Sequence, residues 1–130
     1  VVKEDFARKN EEKTHRSRGY NVFTSNLKMA ILVDEGSASA SEILAGALSE
    51  HGIATLIGAK TFGKGSVQEL VPITDTTSLK ITVARWLTPE KGISISEKGL
   101  MPAIELKVEK KDIEEGRDPQ LLKAIEFVNQ

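Results

Sequence analysis

The 130-residue chain has no cysteine, which excludes disulfides, zinc–thiolate sites and a thiol nucleophile, and leaves its compartment open. Aromatic residues make up only 5%, and no basic stripe with interleaved aromatics is present, so nothing points to a nucleic-acid-binding face. Neither sign of charge is in excess: 18 basic and 19 acidic residues give a formal net charge of -1. General attraction to nucleic acid or to an anionic membrane is therefore lacking. No apolar run approaches the ~20 residues of a membrane span, and no signal peptide opens the chain. The first residue is Val1 rather than Met, as expected of a piece of a longer protein; if that protein is exported, its signal lies upstream. Only two histidines occur, neither paired with carboxylates at ligand spacing, so neither a metal nor an organic cofactor is suggested.

What is present suffices for one domain's core, with 39% hydrophobic residues. Residues 1–19 are highly charged, with Val1, Val2 and Phe6 as apolar anchors, and read as a solvated hairpin or arm centred on residues 8–11. The run MAILV at 29–33 is short and continuously apolar, which suits a strand buried on both faces. In the next segment Ile43, Leu44, Ala47 and Leu48 recur at helical spacing, and Gly52 stands as a stop. Residues 54–57 form a second apolar run. Strand, helix and strand within about 30 residues make a βαβ unit, so the fold class is α/β with a parallel sheet.

Residues 67–73 and 79–87 flank the polar cluster Thr74, Asp75, Thr76, Thr77 and read as a β-hairpin, with Leu79, Ile81 and Val83 on its buried face. Asp118 and Pro119 supply an N-cap and a first-turn proline to a terminal helix whose Leu121, Leu122, Ile125 and Val128 form an apolar stripe.

The stretch GAKTFGKG at 58–65 matches the first seven positions of a phosphate-binding G-x-x-x-x-G-K-[ST] loop, but Gly65 stands where the metal-binding hydroxyl belongs. That loop must also open a helix. The residues after Lys64 are β-branched, alternating and closed by Pro72, which reads as a strand.

The segment GSASASE at 36–42 lies where a buried strand turns into a helix. Ser39 followed by Glu42 is a capping box, which many ordinary helices carry. The same turn suits a nucleophile, since a serine there is exposed beside the free N–H groups of the first helical turn. A serine nucleophile needs a base. His51 ends the helix that Ser39 opens, so twelve residues at ~1.5 Å put it about 18 Å away, far outside proton-transfer reach. Glu50 fails on the same distance, and His15 lies in the charged arm with nothing to fix it. Lys64 follows the second strand of the βαβ unit, and parallel strands end on the same side of the sheet.

A lysine base must be neutral, which requires a desolvated, charge-poor site. Phe62, Gly63, Gly65 and Val67 bring no charge, and the glycines allow a tight loop and close backbone approach. Gln68 is the nearby uncharged side chain able to orient the amine. In an extended strand it would lie ~13 Å from Lys64, so contact demands a bend at Gly65.

GSASASEILAGAL (36–48) and TFGKGSVQ (61–68), with their spacing, TP-E-KG-I (88–93), KGLMP (98–102) and DPQL (118–121), closely resemble the C-terminal processing peptidases, or tail-specific proteases. The resemblance spans nearly all of 29–128. It implies a crotonase- or Clp-like core, with Ser39 as nucleophile, Lys64 as general base, Gln68 as the residue orienting Lys64, and the Ala40 N–H as an oxyanion donor. It also implies protein substrates with apolar, unstructured C-terminal tails, an upstream PDZ domain that captures them, an extracytoplasmic location such as periplasm, cell surface or thylakoid lumen, and a potential homo-oligomer. Counterparts of the PDZ domain and of the upstream loop completing the oxyanion hole are not found in the 130 residues. Residues 1–130 are therefore expected to be the C-terminal part of the catalytic domain and inactive or nearly so alone. Glu50, where many relatives have Asp, and Ala103, where Asp is common, receive no catalytic role. A non-catalytic tail-binding or scaffold relative is the alternative reading.

Overall fold

The computed structural model describes residues 1–7, 11–19, 26–96 and 98–130. In chain order the elements are β1 (Val2–Phe6), β2 (Glu11–His15), β3 (Met29–Val33), α1 (Ala40–Glu50), β4 (Ala54–Gly58), β5 (Ser66–Pro72), β6 (Ser78–Leu87), β7 (Ile104–Glu105), α2 (Lys110–Glu114) and α3 (Pro119–Asn129).

Two sheets result. β3, β4 and β7 form a parallel sheet in that order, with β3 and β4 in register from Met29 opposite Ala54 to Val33 opposite Gly58. Because all three run the same way, their C-terminal ends lie on one side, where ligand sites of such sheets occur. β2, β1, β6 and β5 form the second, antiparallel sheet in that order. The α/β class and the βαβ unit thus stand as read from the sequence. The core holding the sheets together consists of Val33, Ala45, Leu56, Ile95 and Leu100, with Ile31, Ile43 and Trp86 packed against it.

The charged N-terminal segment is a hairpin, and it is more than a solvated arm: β1 also pairs with β6, burying Val2 and Glu4, while Val1 remains exposed. Its proposed centre at Arg8, Lys9 and Asn10 lies outside the described residues. His15, expected to be unfixed, is bonded to Glu4 Oε2 at 2.9 Å and meets Trp86 edge to face.

α1 ends in a Schellman arrangement: the Gly52 N–H (φ 67°) donates to Ser49 O and the Ile53 N–H to Leu48 O, which satisfies carbonyls of the last turn. Of its apolar positions Ala47 is buried and Ile43 packs against the core, but Leu44 is 58% exposed, and the burial centres on Glu42, Ala45, Gly46 and Ala47. Close packing explains this, since a Cβ on Gly46 would already touch Leu100 and Thr88, so this face accepts only small residues.

Similar corrections hold elsewhere. Leu32 of β3 is exposed, so that strand is not covered on both faces. β5 and β6 form the predicted hairpin, closed by Ile73 and Thr74 N–H bonds to Thr77 O, but Leu79 and Ile81 are exposed and Ala84 is the buried residue. In α3 the Asp118 carboxylate accepts the Leu121 N–H at 2.9 Å as the expected cap. The helix packs on β3 and β4 through Ala124, leaving Leu121, Leu122, Ile125 and Val128 exposed. In each case the apolar stripe exists, but no element of the chain lies over it among the described residues.

Candidate active site

Ser39 occupies the turn between β3 and α1 at φ 56°, ψ -118°, and is the one non-glycine residue with positive φ among those described. That conformation is strained for a residue with a Cβ and persists only where surrounding bonds hold it. Here the Ser39 N–H donates to Glu42 Oε2 at 2.9 Å, and the Ser39 carbonyl accepts the Glu42 and Ile43 N–H groups, each at 3.0 Å. No side-chain hydrogen bond from Ser39 caps the helix, and the residue is exposed. Next to it, the Ala40 N–H at the first helical position has no acceptor among the described residues, as an oxyanion donor requires.

Glu42 does far more than cap. Its carboxylate is fully buried at 0% exposure and takes two hydrogen bonds on each oxygen. Oε1 accepts from the Thr61 hydroxyl at 2.5 Å and the Gly63 N–H at 2.7 Å; Oε2 accepts from Ser39 N–H and from the Lys64 N–H at 2.8 Å. That fills the ~four lone-pair positions of a carboxylate. The backbone nitrogens of Ser39 and Lys64 share one oxygen and so lie within about 6 Å of each other. Thr61 Oγ1 in turn accepts the Leu100 N–H at 2.7 Å, tying in the 98–102 turn.

The loop's two glycines have separate reasons. Gly63 adopts φ 89°, which aims its N–H at Glu42 without steric cost. Gly65 lies so close to the 95–96 backbone that a Cβ would come within 2.5 Å of Ser96 N. The loop leads into the strand β5 and not into a helix, so the phosphate-loop reading falls.

Of the predicted site residues, the structure brings the backbones of Ser39, Ala40 and Lys64 together. Lys64 is exposed and its side chain is unpaired among the described residues, and the Glu42 carboxylate sits against its backbone, so neither the expected desolvation nor the expected charge-poor setting is seen. Gln68 makes no hydrogen bond to Lys64 among the described residues; opposite Val67 and Gln68 the pairing shifts register, with Val83 of β6 as the extra, bulged residue. Bulges of this kind re-aim side chains near sites. His51 closes α1 with its ring 3.6 Å from Glu90, far from Ser39 along the helix. Glu50 accepts the Glu90 N–H at 2.8 Å and the Lys91 N–H at 3.3 Å, a structural task.

Sequence reasoning missed the role of Glu42 as the clamp of the lysine loop. A signal existed: at helical spacing Glu42 shares a face with the small residues Ala45 and Gly46, where a carboxylate must find several donors.

A family model described as Peptidase family S41 matches residues 1–106. Carboxy-terminal processing protease CtpB of Bacillus subtilis is 51% identical over 77 residues, covering 59% of this chain and 16% of that protein. Carboxyl-terminal-processing peptidase 3, chloroplastic, of Arabidopsis thaliana is 47% identical over 77 residues, covering 59% and 15%. Among solved structures, a photosystem II D1 C-terminal processing protease aligns with a TM-score of 0.57 at 42% identity, over 60% of this chain and 20% of that one. The tricorn protease aligns at 0.59 over 76% and 10%, and its 22% identity bears on the fold alone. The chain thus spans about a sixth of the length of the curated relatives it matches.

Proposed function

The chain belongs to peptidase family S41, and from that premise we propose that it supplies the nucleophile and base of a serine endopeptidase that cleaves proteins near apolar, unstructured C-termini. Ser39 Oγ attacks the scissile carbonyl carbon while its proton passes to Lys64 Nζ. The Ala40 N–H receives the developing oxyanion. Collapse of the tetrahedral intermediate expels the amine, which takes the proton from Lys64, and leaves an acyl ester on Ser39. Water, deprotonated by Lys64, then hydrolyses the ester and restores both groups. Gln68 orients the lysine amine.

The observation that carries this reading is the buried Glu42 carboxylate, which fastens the backbones of Ser39 and Lys64 to one oxygen. The positive-φ turn at Ser39 and the Ala40 N–H, which has no acceptor among the described residues, support it. Lys64 is exposed in this chain, so a neutral amine requires cover from further parts of the catalytic domain and from substrate. An upstream PDZ domain delivering the tail, self-association and an extracytoplasmic location belong to the same proposal; the chloroplastic Arabidopsis relative is in keeping with the last.

The test is acylation by a fluorophosphonate, read by intact mass and peptide mapping. The full protein carrying this chain is expected to be labelled on Ser39, and Ser39→Ala and Lys64→Ala to be silent while folded. The isolated 130 residues are expected to leave an unstructured protein uncut, and measurable cleavage would refute that part. A folded full protein that neither labels nor cleaves would point to a scaffold relative instead.

A further inference from the structure

A cleft of about 350 Å³ lies between the C-terminal half of α1 and the segments 88–93 and 98–101. Its helical wall, Gly46, Ser49 and Glu50, stands seven to eleven residues beyond Ser39, which at ~1.5 Å per residue is about 10 to 17 Å along α1. Leu56 and Leu100 are buried and form its floor; Ile93 and Met101 are exposed and form its rim. Lys60 and Lys98 also line it, and the side chain of neither is engaged in a hydrogen bond or ion pair among the described residues. The acid of the lining, Glu50, is already engaged: it accepts the Glu90 N–H at 2.8 Å, the Lys91 N–H at 3.3 Å and a hydrogen bond from the Thr88 side chain.

We propose that this cleft binds a medium-chain aliphatic carboxylate, a free fatty acid, with the alkyl chain against Leu56, Ile93, Leu100 and Met101 and the carboxylate between Lys60 and Lys98. The site stands whether or not Ser39 is a nucleophile. Its volume lies within the ~300 to 1,000 Å³ of small-molecule sites, which are mostly apolar with a few polar groups that fix orientation. Two ammonium groups against one engaged carboxylate favour an anion, and each ammonium offers three donors to the two carboxylate oxygens. A peptide fits less well, because the backbone of the walls is already paired. The Gly99 N–H donates to Ile95 O at 3.2 Å, the Leu100 N–H to Thr61 Oγ1 at 2.7 Å and the Ile93 N–H to Thr88 Oγ1 at 2.9 Å, while the Leu100 and Ile93 carbonyls accept the Thr61 and Thr88 N–H groups. The amides of a bound peptide would leave water without gaining partners there. An alkyl chain carries no such groups, and the flexible Met101 side chain adapts to it.

The experiment is calorimetric titration of the full protein carrying this chain with hexanoate, octanoate and decanoate below their micellar concentrations, with octylammonium as the probe of reversed charge and N-acetyl-dileucine as the peptide probe. One octanoate is expected to bind per chain, the affinity to rise about two- to fourfold per added methylene, and octylammonium and the peptide to bind at least about tenfold more weakly. The double variant Lys60→Ala/Lys98→Ala is expected to weaken octanoate at least about tenfold. Ile93→Trp, which crowds the rim without changing charge, is expected to abolish binding, with circular dichroism showing both variants folded. Absence of octanoate binding overturns the site. So does binding that never saturates near one equivalent, or that both variants leave unmoved, as adsorption to the exposed apolar faces of α3 and the β5–β6 hairpin would. Tighter binding of N-acetyl-dileucine than of octanoate overturns the ligand class. Octanoate that binds as expected to a protein whose Ser39 does not label sinks the protease reading and leaves the site standing.

Discussion

At Glu42 one carboxylate serves two masters, the N-terminus of α1 and the loop ahead of β5. Replacing it by Gln keeps the volume but turns an acceptor oxygen into an N–H₂ group facing donors. Two donors then lose their acceptor, either the Thr61 hydroxyl and the Gly63 N–H or the Ser39 and Lys64 N–H groups, for a cost of about 2 to 5 kcal/mol. Urea unfolding of Glu42→Gln is expected to show this loss, and fluorophosphonate labelling of Ser39 to fall at least tenfold even where the variant is folded. Glu50 makes a different kind of prediction. Burial pushes its carboxyl up, but hydrogen bonds from Thr88, Glu90 and Lys91 and the Lys91 charge outweigh that and hold it below the value of 4.5. A group lowered in the folded state contributes stability that is present above about pH 4.5 and is lost as pH falls through the folded value. Unfolding measured from pH 6 down to pH 3 is expected to steepen through this window, and Glu50→Gln to flatten the slope. The sequence revealed Glu42 as a cap because a cap is local, three residues from Ser39. Its bonds to Thr61, Gly63 and Lys64 span 19 to 22 residues and arise only when β4 lies beside β3.

Elements were legible where local chemistry decides them. The Asp118–Pro119 start of α3, the Gly52 stop of α1 and the polar turn of the β5–β6 hairpin all stand where their residues predict. The faces were less legible, because an apolar stripe says which side can be covered and not whether anything covers it. The bulge at Val83, opposite Val67 and Gln68, has no sequence signature at all; it reflects the pairing of β5 with β6. The loop between β4 and β5 offers a direct test. A methyl group at Gly65 would meet Ser96 N at 2.5 Å and Ile95 at 2.9 Å, backbone included, so the chain must shift. Gly65→Ala is expected to cost about 1 to 3 kcal/mol in urea unfolding. Because Lys64 is the next residue, Ser39 labelling is expected to slow by more than that loss of folded protein explains.

For the whole molecule the surface is informative. The chain exposes 9334 Å², against about 6,800 Å² for a compact monomer of its mass. The excess includes two apolar faces with no cover among the described residues, Leu121, Leu122, Ile125 and Val128 on α3, and Ile73, Leu79 and Ile81 on one side of the β5–β6 hairpin. Patches of this kind drive association. The isolated 130 residues are expected to bind a hydrophobic dye and to run larger than a monomer in light scattering, and a dye-silent monomer would contradict this. Sequence by itself determined the α/β class, the βαβ unit, the hairpins and the resemblance that singles out Ser39 and Lys64, because strand and helix periods, turn residues and motif spacing are all written within short stretches of chain. Only the tertiary structure decided which faces are buried and that one buried carboxylate fastens Ser39 to Lys64. Those facts depend on distances between residues far apart in the chain, which are fixed when the parallel strands bring their C-terminal ends to one side.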